Sequence, residues 1–257
     1  MIPNRCFFIC LHPMEFSLVS YLAIRSAAAV NEPDELTVYY DEKPSGPWWD
    51  LASEYITDAI EVDPPRSVGG VPVEHPAHRA DLLRLQVLLE SGGIYLDLDV
   101  LSVRPLAPFR NESFVLGQEG ENGCYGLCNG IILAEADSVF GKEWLSGFDP
   151  ATSRWQGFRS RGHDEYWSEM SVKYPAHLAT LFPEHITTAP YDAFHWPTWT
   201  DEHLEWLFRG RGDDFPNAYC HHLWQSQSWD GYLKDLTPEY IKRVDTNFNL
   251  MVRRYFD

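Results

Sequence analysis

Short apolar runs alternate with amphipathic stretches along the first half of the chain. Cys6–Leu11 (CFFICL) is almost entirely apolar, the pattern of a buried strand. Glu15–Val30 carries helical periodicity, ends near Asn31 and is followed by Pro33, which predicts a helix. Leu36–Tyr40 (LTVYY) reads as a second strand, and Asp41–Pro47, with its Pro, Ser and Gly, as a loop. Trp48–Asp58 predicts a helix, Ala59–Val62 a short strand, and the Gly/Pro-rich Arg66–Pro76 a surface loop. Ala77–Glu90 has leucines at 82, 83, 85, 88 and 89 and predicts a strong helix, stopped by Ser91-Gly92-Gly93. Ile94–Val100 (IYLDLDV) follows as a strand. Phe114–Gln118 and Asn129–Ala134 read as further strands and Val139–Phe148 as a helix. The second half is less regular, with helices expected at Asp164–Leu181 and Glu202–Arg209 and a strand at Ala218–Leu223. Alternation of strand and helix implies an α/β fold around a largely parallel, doubly wound sheet. No linker separates the halves, so one domain with a C-terminal elaboration is expected over 1–257.

Composition narrows the partners. With 20 Lys plus Arg against 38 Asp plus Glu, the formal net charge is −18. Nucleic acid is excluded as an expected partner, because phosphate binding needs clustered cations. An anionic membrane surface is disfavoured for the same reason. A small anionic ligand remains open if a metal or a local arginine holds it. The apolar run Cys6–Leu11 is too short for a signal peptide, and no stretch is long and apolar enough to span a bilayer. A cytoplasmic protein is therefore expected, with a lumenal domain of a longer protein as the alternative. The five cysteines, Cys6, Cys10, Cys124, Cys128 and Cys220, are an odd set for a disulfide framework. Buried strand thiols in a reducing compartment are the main reading. A four-thiolate zinc site from Cys6/Cys10 and Cys124/Cys128 is the minor one, because zinc sites space their cysteines more tightly.

The candidate chemistry lies between residues 77 and 100. Side chains two apart on a strand share a face, so Tyr95, Asp97 and Asp99 point one way. Ile94, Leu96, Leu98 and Val100 point the other way, into the core. The two carboxylates are about 7 Å apart at Cα on an ordinary strand rise. Together they suit one hard divalent cation with open positions. Without a cation they repel, and one of them holds its proton. Ligands of open α/β sheets gather at the carboxyl ends of strands, where this pair sits. On the preceding helix Asp81 and Arg84 lie three apart and share a face. Alone they would be an ordinary ion pair.

Taken together, these residues resemble a known family. His78-Arg79-Ala80-Asp81-Leu82-Leu83-Arg84, then Gly92-Gly93-Ile94-Tyr95-Leu96-Asp97-Leu98-Asp99, is similar to the sugar transferases with a DXD motif (glycosyltransferase family 32-like). That family includes yeast-type initiating mannosyltransferases, lactosylceramide galactosyltransferases and, more distantly, the glucosyltransferase domains of clostridial toxins. Asn129-Gly130-Ile131-Ile132-Leu133-Ala134 resembles its Asn-led strand beside the donor site. Tyr219-Cys220-His221-His222-Leu223-Trp224 with Ser228-Trp229 resembles its closing His-x-Trp and Ser-Trp elements. Either histidine can be the family's; the spacing to Trp224 favours His222.

The resemblance implies a GT-A fold, with residues 1–135 binding a nucleotide sugar and 136–257 supplying acceptor-side and closing elements. It implies hexose transfer, with retention of configuration, from a UDP-galactose, UDP-glucose or GDP-mannose donor to a polysaccharide, glycolipid or glycoprotein glycan. Mn²⁺ (or Mg²⁺) is the implied cofactor. Asp99 would bind the metal, and Asp97 would contact ribose and sugar and support the metal. Asp81 and Arg84 would hold donor-sugar hydroxyls, with Tyr95 and Asn129 beside the donor. His222, Ser228 and Trp229 would close over the metal and diphosphate. Two other classes stay open. Leu96–Leu101 also resembles the strand-borne Asp-x-Asp of haloacid-dehalogenase-like phosphatases, with Asp213-Asp214 as a distal acidic pair. A non-catalytic nucleotide-sugar or glycan-binding protein is the second. The tryptophans at 155, 167, 196, 199, 206 and 224 and the run His163-Asp164-Glu165 are candidate acceptor contacts, with ordinary packing and a solvated loop as the simpler readings.

Overall fold

A computed structural model describes residues 1–12 and 15–256. The first half follows the expected alternation. Strand β1 (Arg5–Cys10) leads to helix α1 (Leu18–Asn31), β2 (Glu35–Tyr40), α2 (Pro47–Ser53) and β3 (Asp58–Glu61). The helix expected from Glu15 begins three residues later, because Ser17 caps it, its Oγ accepting the Ser20 N–H at 3.0 Å. Glu15 instead forms an isolated bridge with Ser45. Helix α2 stops well short of Asp58: Thr57 N–H donates to the Leu36 carbonyl and draws the chain onto the sheet. The expected loop at 66–76 contains a small hairpin, β4 (Ser67–Val68) with β5 (Val71–Pro72), turned by Gly69 and Gly70 at positive φ.

Helix α3 (Pro76–Ser91) follows, capped by the His75 ring accepting from Ala77 N–H, with Pro76 in its first turn. Gly92 ends the helix at φ 66°, and Gly93 opens β6 (Gly93–Leu96) at φ 125°. A side chain at Gly93 would place its Cβ 2.8 Å from the Arg5 carbonyl oxygen, so glycine is what lets β6 lie against β1. The strand expected over Ile94–Val100 is broken. Asp97 N–H makes a last ladder bond to Gly130 O, and Val100 N–H then donates to Asp97 O, so Asp97-Leu98-Asp99 is a tight turn. The chain leaves as β7 (Val100–Ser102). The two-face pattern still holds: Ile94, Leu96 and Val100 lie in one core layer with Leu98 packed on it, and Tyr95 lies in the other.

Next come β8 (Phe114–Glu119), β9 (Gly126–Ala134), α4 (Val139–Ser146), α5 (Tyr174–Leu181), β10 (Thr187–Ala189), α6 (Tyr191–Phe194), α7 (Asp201–Phe208) and β11 (Cys220–His222). The helix expected from Asp164 starts late, with a π-helical turn at Glu169–Lys173 leading into α5. The Asp164 carboxylate accepts from Arg161 N–H, Tyr166 N–H and Ser160 Oγ, which fixes a turn instead.

The main sheet has seven strands in the order β10-β8-β9-β6-β1-β2-β3. Strand β9 runs antiparallel to β6 and β8, and the other pairings are parallel. Helices α1, α2 and α7 pack on one face, and α3, α4 and α5 on the other. β11 pairs antiparallel with β7, His222 opposite Val100, and so returns the second half of the chain to the acidic turn. Among the described residues no helix is long and apolar enough to cross a membrane.

Candidate active site

A cavity of about 430 Å³ opens at the carboxyl end of β6. Asp81, Arg84, Asp97, Asp99, Asn129 and His222 all line it, so segments far apart in sequence converge. Strand β11 decides between the histidines, since neighbours on a strand face opposite ways. His222 turns toward the acidic pair, its Nε2 3.2 Å from Asp99 Oδ1 and 3.8 Å from Asp97 Oδ2. His221 turns away and pairs through Nδ1 with the Trp196 carbonyl at 2.9 Å. Asp99 Oδ2 accepts the Gln225 N–H at 2.7 Å. Gly130 makes the close approach possible, for a Cβ there would stand 3.0 Å from Asp97 Oδ2 and 3.3 Å from the His222 ring.

Helix α3 braces the pair from below. Arg84 is buried and donates through Nη1 to Asn129 O at 2.7 Å and through Nε to Ala80 O at 3.3 Å. The same guanidinium lies 3.1 Å from Asp81 Oδ1 and 3.3 Å from Asp97 Oδ1, and it rests 4.3 Å over the Tyr95 ring. Tyr95 is buried beneath the cavity and donates its hydroxyl to Asp97. Asp81 also takes Asn129 Nδ2 at 2.6 Å and His78 Nδ1 at 3.2 Å.

The protonation states follow from these partners. Burial pushes Asp81 up, but Arg84, His78 and Asn129 outweigh it and hold the carboxyl below its usual range. Burial pushes Asp97 up, and Asp99 adds to this, so Asp97 stays above its usual value despite Arg84 and His222. Asp99 ends below its usual value, because the His222 charge and hydrogen bond and the Gln225 N–H overcome its burial. The close pair thus divides into one carboxyl that holds its proton more readily and one that gives it up more readily, as their mutual repulsion requires. Burial pushes His222 down, but the charge and hydrogen bond of Asp99, with Asp97 and Glu119, together outweigh it and leave the imidazole raised.

Ligand atoms of Asp97, Asp99 and His222 all lie within 4.8 Å of one another. Two carboxylates and an imidazole form a mixed oxygen and nitrogen set that suits a divalent cation such as Mn²⁺. The donor set therefore fits a divalent metal of the kind that the family resemblance implied.

Ser228 and Trp229 do not line the cavity. The Ser228 hydroxyl is directed at the Leu223 and Trp224 carbonyls, and Trp229 packs against the core. Ser226 and Gln227, just before them, reach the cavity instead. Asp213 does not line the cavity; its carboxylate accepts the Phe215 N–H in a local turn. Of the aromatic candidates, Trp167, Trp199 and Trp224 line the cavity, whereas Trp155, Trp196 and Trp206 do not. His163 stacks on Trp167, 4.2 Å between ring centroids. The four-cysteine cluster is absent among the described residues: Cys124 is exposed, and the thiols of Cys6, pushed up to about 12, and Cys10, pushed up to about 11, are raised mainly by burial.

Sequence reasoning missed Glu119. It ends β8 at the same edge of the sheet as Asp97, lines the cavity, and accepts the Trp199 Nε1–H at 3.0 Å. Burial raises its carboxyl. Its position at a strand's carboxyl end was the available signal.

Residues 38–116 match the glycosyltransferase sugar-binding region containing the DXD motif. Glucan organizing enzyme 1 of Cryptococcus neoformans var. grubii is 32% identical over 250 residues, covering 94% of this chain. This chain spans 65% of that relative's length. The apo form of the glycosyltransferase GlyE of Streptococcus pneumoniae TIGR4 superposes with a TM-score of 0.55 at 12% identity, covering 99% of this chain and 63% of that one. A second GlyE structure gives 0.51 at 14% identity, over 100% and 64%. At such identity the superpositions speak for the fold alone, and that fold is the mixed, mainly parallel α/β architecture called GT-A. Motif region and curated relative make the chain similar to the DXD-motif sugar transferases, and the superpositions show a GT-A fold.

Proposed function

We propose that this chain transfers a hexose from a nucleotide sugar to a glycan, with a divalent cation held by Asp97, Asp99 and His222. The convergence of those three ligands at the mouth of a cavity that also holds Asp81 and Arg84 is the observation that carries the reading. A cation bound there supplies positive charge to the diphosphate leaving group, and explains how a chain of net charge −18 accepts an anionic donor.

The chain's own residues perform the rest. Asp99 is the carboxylate that stays ionised and is aimed by the Gln225 N–H. Asp97 is held in place by Arg84 and the Tyr95 hydroxyl, so it presents its second oxygen without reorganising. Asp81 keeps its charge inside the wall of the cavity, and a buried ionised carboxylate suits sugar hydroxyls as an acceptor. Trp167, Trp199 and Tyr125 add apolar wall that stacks on sugar rings and excludes water from the reacting bond. We assign retention of configuration and Mn²⁺ as the preferred ion. UDP-galactose, UDP-glucose and GDP-mannose are the candidate donors. The relative's name speaks of glucan, which supports a polysaccharide acceptor over a glycolipid or glycoprotein.

The test is a donor panel. UDP- and GDP-sugars are incubated with the protein, candidate glucans and Mn²⁺, and released nucleoside diphosphate and elongated glycan are followed. Release from one donor that stops with EDTA supports the reading. Mg²⁺-dependent phosphate release from simple esters, with no nucleotide-sugar turnover, would return the phosphatase reading.

A further inference from the structure

We propose that Cys128, His195 and His222 form a second, buried metal site that takes zinc, directly behind the acidic turn. One ligand atom from each lies within 4.8 Å of the others. All three residues are buried, at 4%, 0% and 9% exposure. The group is poor in partners in a way that ordinary packing leaves unexplained. His195 has only a poorly aligned approach to the Cys128 backbone, and His222 Nδ1 has no hydrogen-bond partner. Buried polar atoms are ordinarily paired, and under-paired nitrogens on two imidazoles beside one thiol mark a place where something binds.

The chemistry of the set selects the ion. A tetrahedral zinc with ordinary bonds to nitrogen and sulfur holds its ligand atoms about 3.5 Å apart, so no pair here needs to close by more than roughly 1.3 Å. Thiolate and imidazole favour zinc, whereas the neighbouring carboxylates favour a harder ion. The thiol releases its proton to solvent as the bond to zinc forms. Burial, with the Glu119 carboxyl beside it, pushes the Cys128 thiol well up, so zinc must displace a proton that the metal-free thiol holds. The fold supports the arrangement closely: a Cβ at Gly117 would stand 2.7 Å from the His195 ring, so glycine there leaves room for that imidazole.

His222 belongs to both sets and cannot give one lone pair twice. Its Nε2 faces Asp99, and its Nδ1 is unpartnered. Zinc held through Nδ1 leaves Nε2 protonated, a hydrogen-bond donor to Asp99 in place of a metal ligand. The inner zinc therefore competes with the cation at the carboxylate pair for one side chain.

Metal content tests this without an activity assay. The purified protein is stripped with EDTA, given zinc, desalted and analysed by mass spectrometry for metal per chain. Cys128→Ser, His195→Gln and Asp99→Asn are treated alike, with thermal melting to confirm that each is folded. The expected result is one zinc retained by the wild type and by Asp99→Asn, with at least tenfold weaker retention in the other two. Should either variant fail to fold, cobalt added to the wild-type protein keeps the test alive: a thiolate-to-cobalt charge-transfer band is expected. No retained zinc, no such band, or zinc lost from Asp99→Asn but kept by Cys128→Ser would each overturn the proposal. The carboxylate site stands or falls separately, on the donor panel.

Discussion

Arg84 Nη1 lies 3.3 Å from Asp97 Oδ1, a contact that joins the middle of helix α3 to the first aspartate of the acidic turn. The same guanidinium also holds Asp81 and the Asn129 carbonyl, so one planar cation fixes three elements. Arg84→Lys keeps the charge but cannot span these acceptors. It is expected to lower transfer by tenfold or more, read as kcat/KM. Arg84→Ala removes the guanidinium from the buried Asp81 and the half-buried Asp97, leaves Asp81 with only Asn129 and His78, and is expected to cost about 3 kcal/mol in chemical denaturation.

Asp81 gives the chain a pH signature in metal-free protein. Its folded-state pKa lies below the ordinary aspartate value. Such a group contributes stability above the unfolded pKa, and loses it as pH falls through the folded one. Asp81→Asn is therefore expected to cost about 3 kcal/mol at neutral pH, with the difference from wild type shrinking below about pH 4. Denaturant midpoints at the two pH values check this; a pH-independent difference would assign the loss to packing.

Gly130 is a steric prediction. Its backbone tolerates a side chain, but a Cβ would crowd Asp97 and His222 at 3.0 and 3.3 Å. Gly130→Ala is expected to weaken Mn²⁺ affinity at least tenfold while moving Tm by only a few degrees. Calorimetric titration with Mn²⁺ measures it.

The sequence made much of this legible, for identifiable reasons. Apolar runs such as Phe7–Ile9 and Ile131–Ala134 are central strands of the sheet, where burial and local pattern agree. Asp81, Arg84, Asp97 and Asp99 were readable because one short helix–strand unit carries all four. The failures are equally local. Ile94–Val100 alternates like a strand, yet the ladder to β9 ends at Asp97, and Val100 N–H donates to Asp97 O to turn the chain at the aspartates. Ser17 and Asp164 moved helix starts through side-chain hydrogen bonds that periodicity does not register. Glu119, Cys128 and His195 carry no spacing signal; only the packing of β8, β9 and α6 brings them to the acidic turn.

Ser228 separates the structure from the sequence expectation. Its hydroxyl is directed at two backbone carbonyls and does not line the cavity. Ser228→Ala is expected to lower stability by about 1 kcal/mol and leave the donor KM within twofold. A raised donor KM with unchanged Tm would put that hydroxyl on the ligand instead.

The most direct test of the central claim is calorimetric binding of UDP and GDP, each with Mn²⁺ and with EDTA, to the wild type and Asp99→Asn. The account predicts that one of the two nucleotides binds with Mn²⁺, and that binding falls at least tenfold in EDTA or in the variant. Equal binding with and without the metal, or full binding by Asp99→Asn, would contradict it.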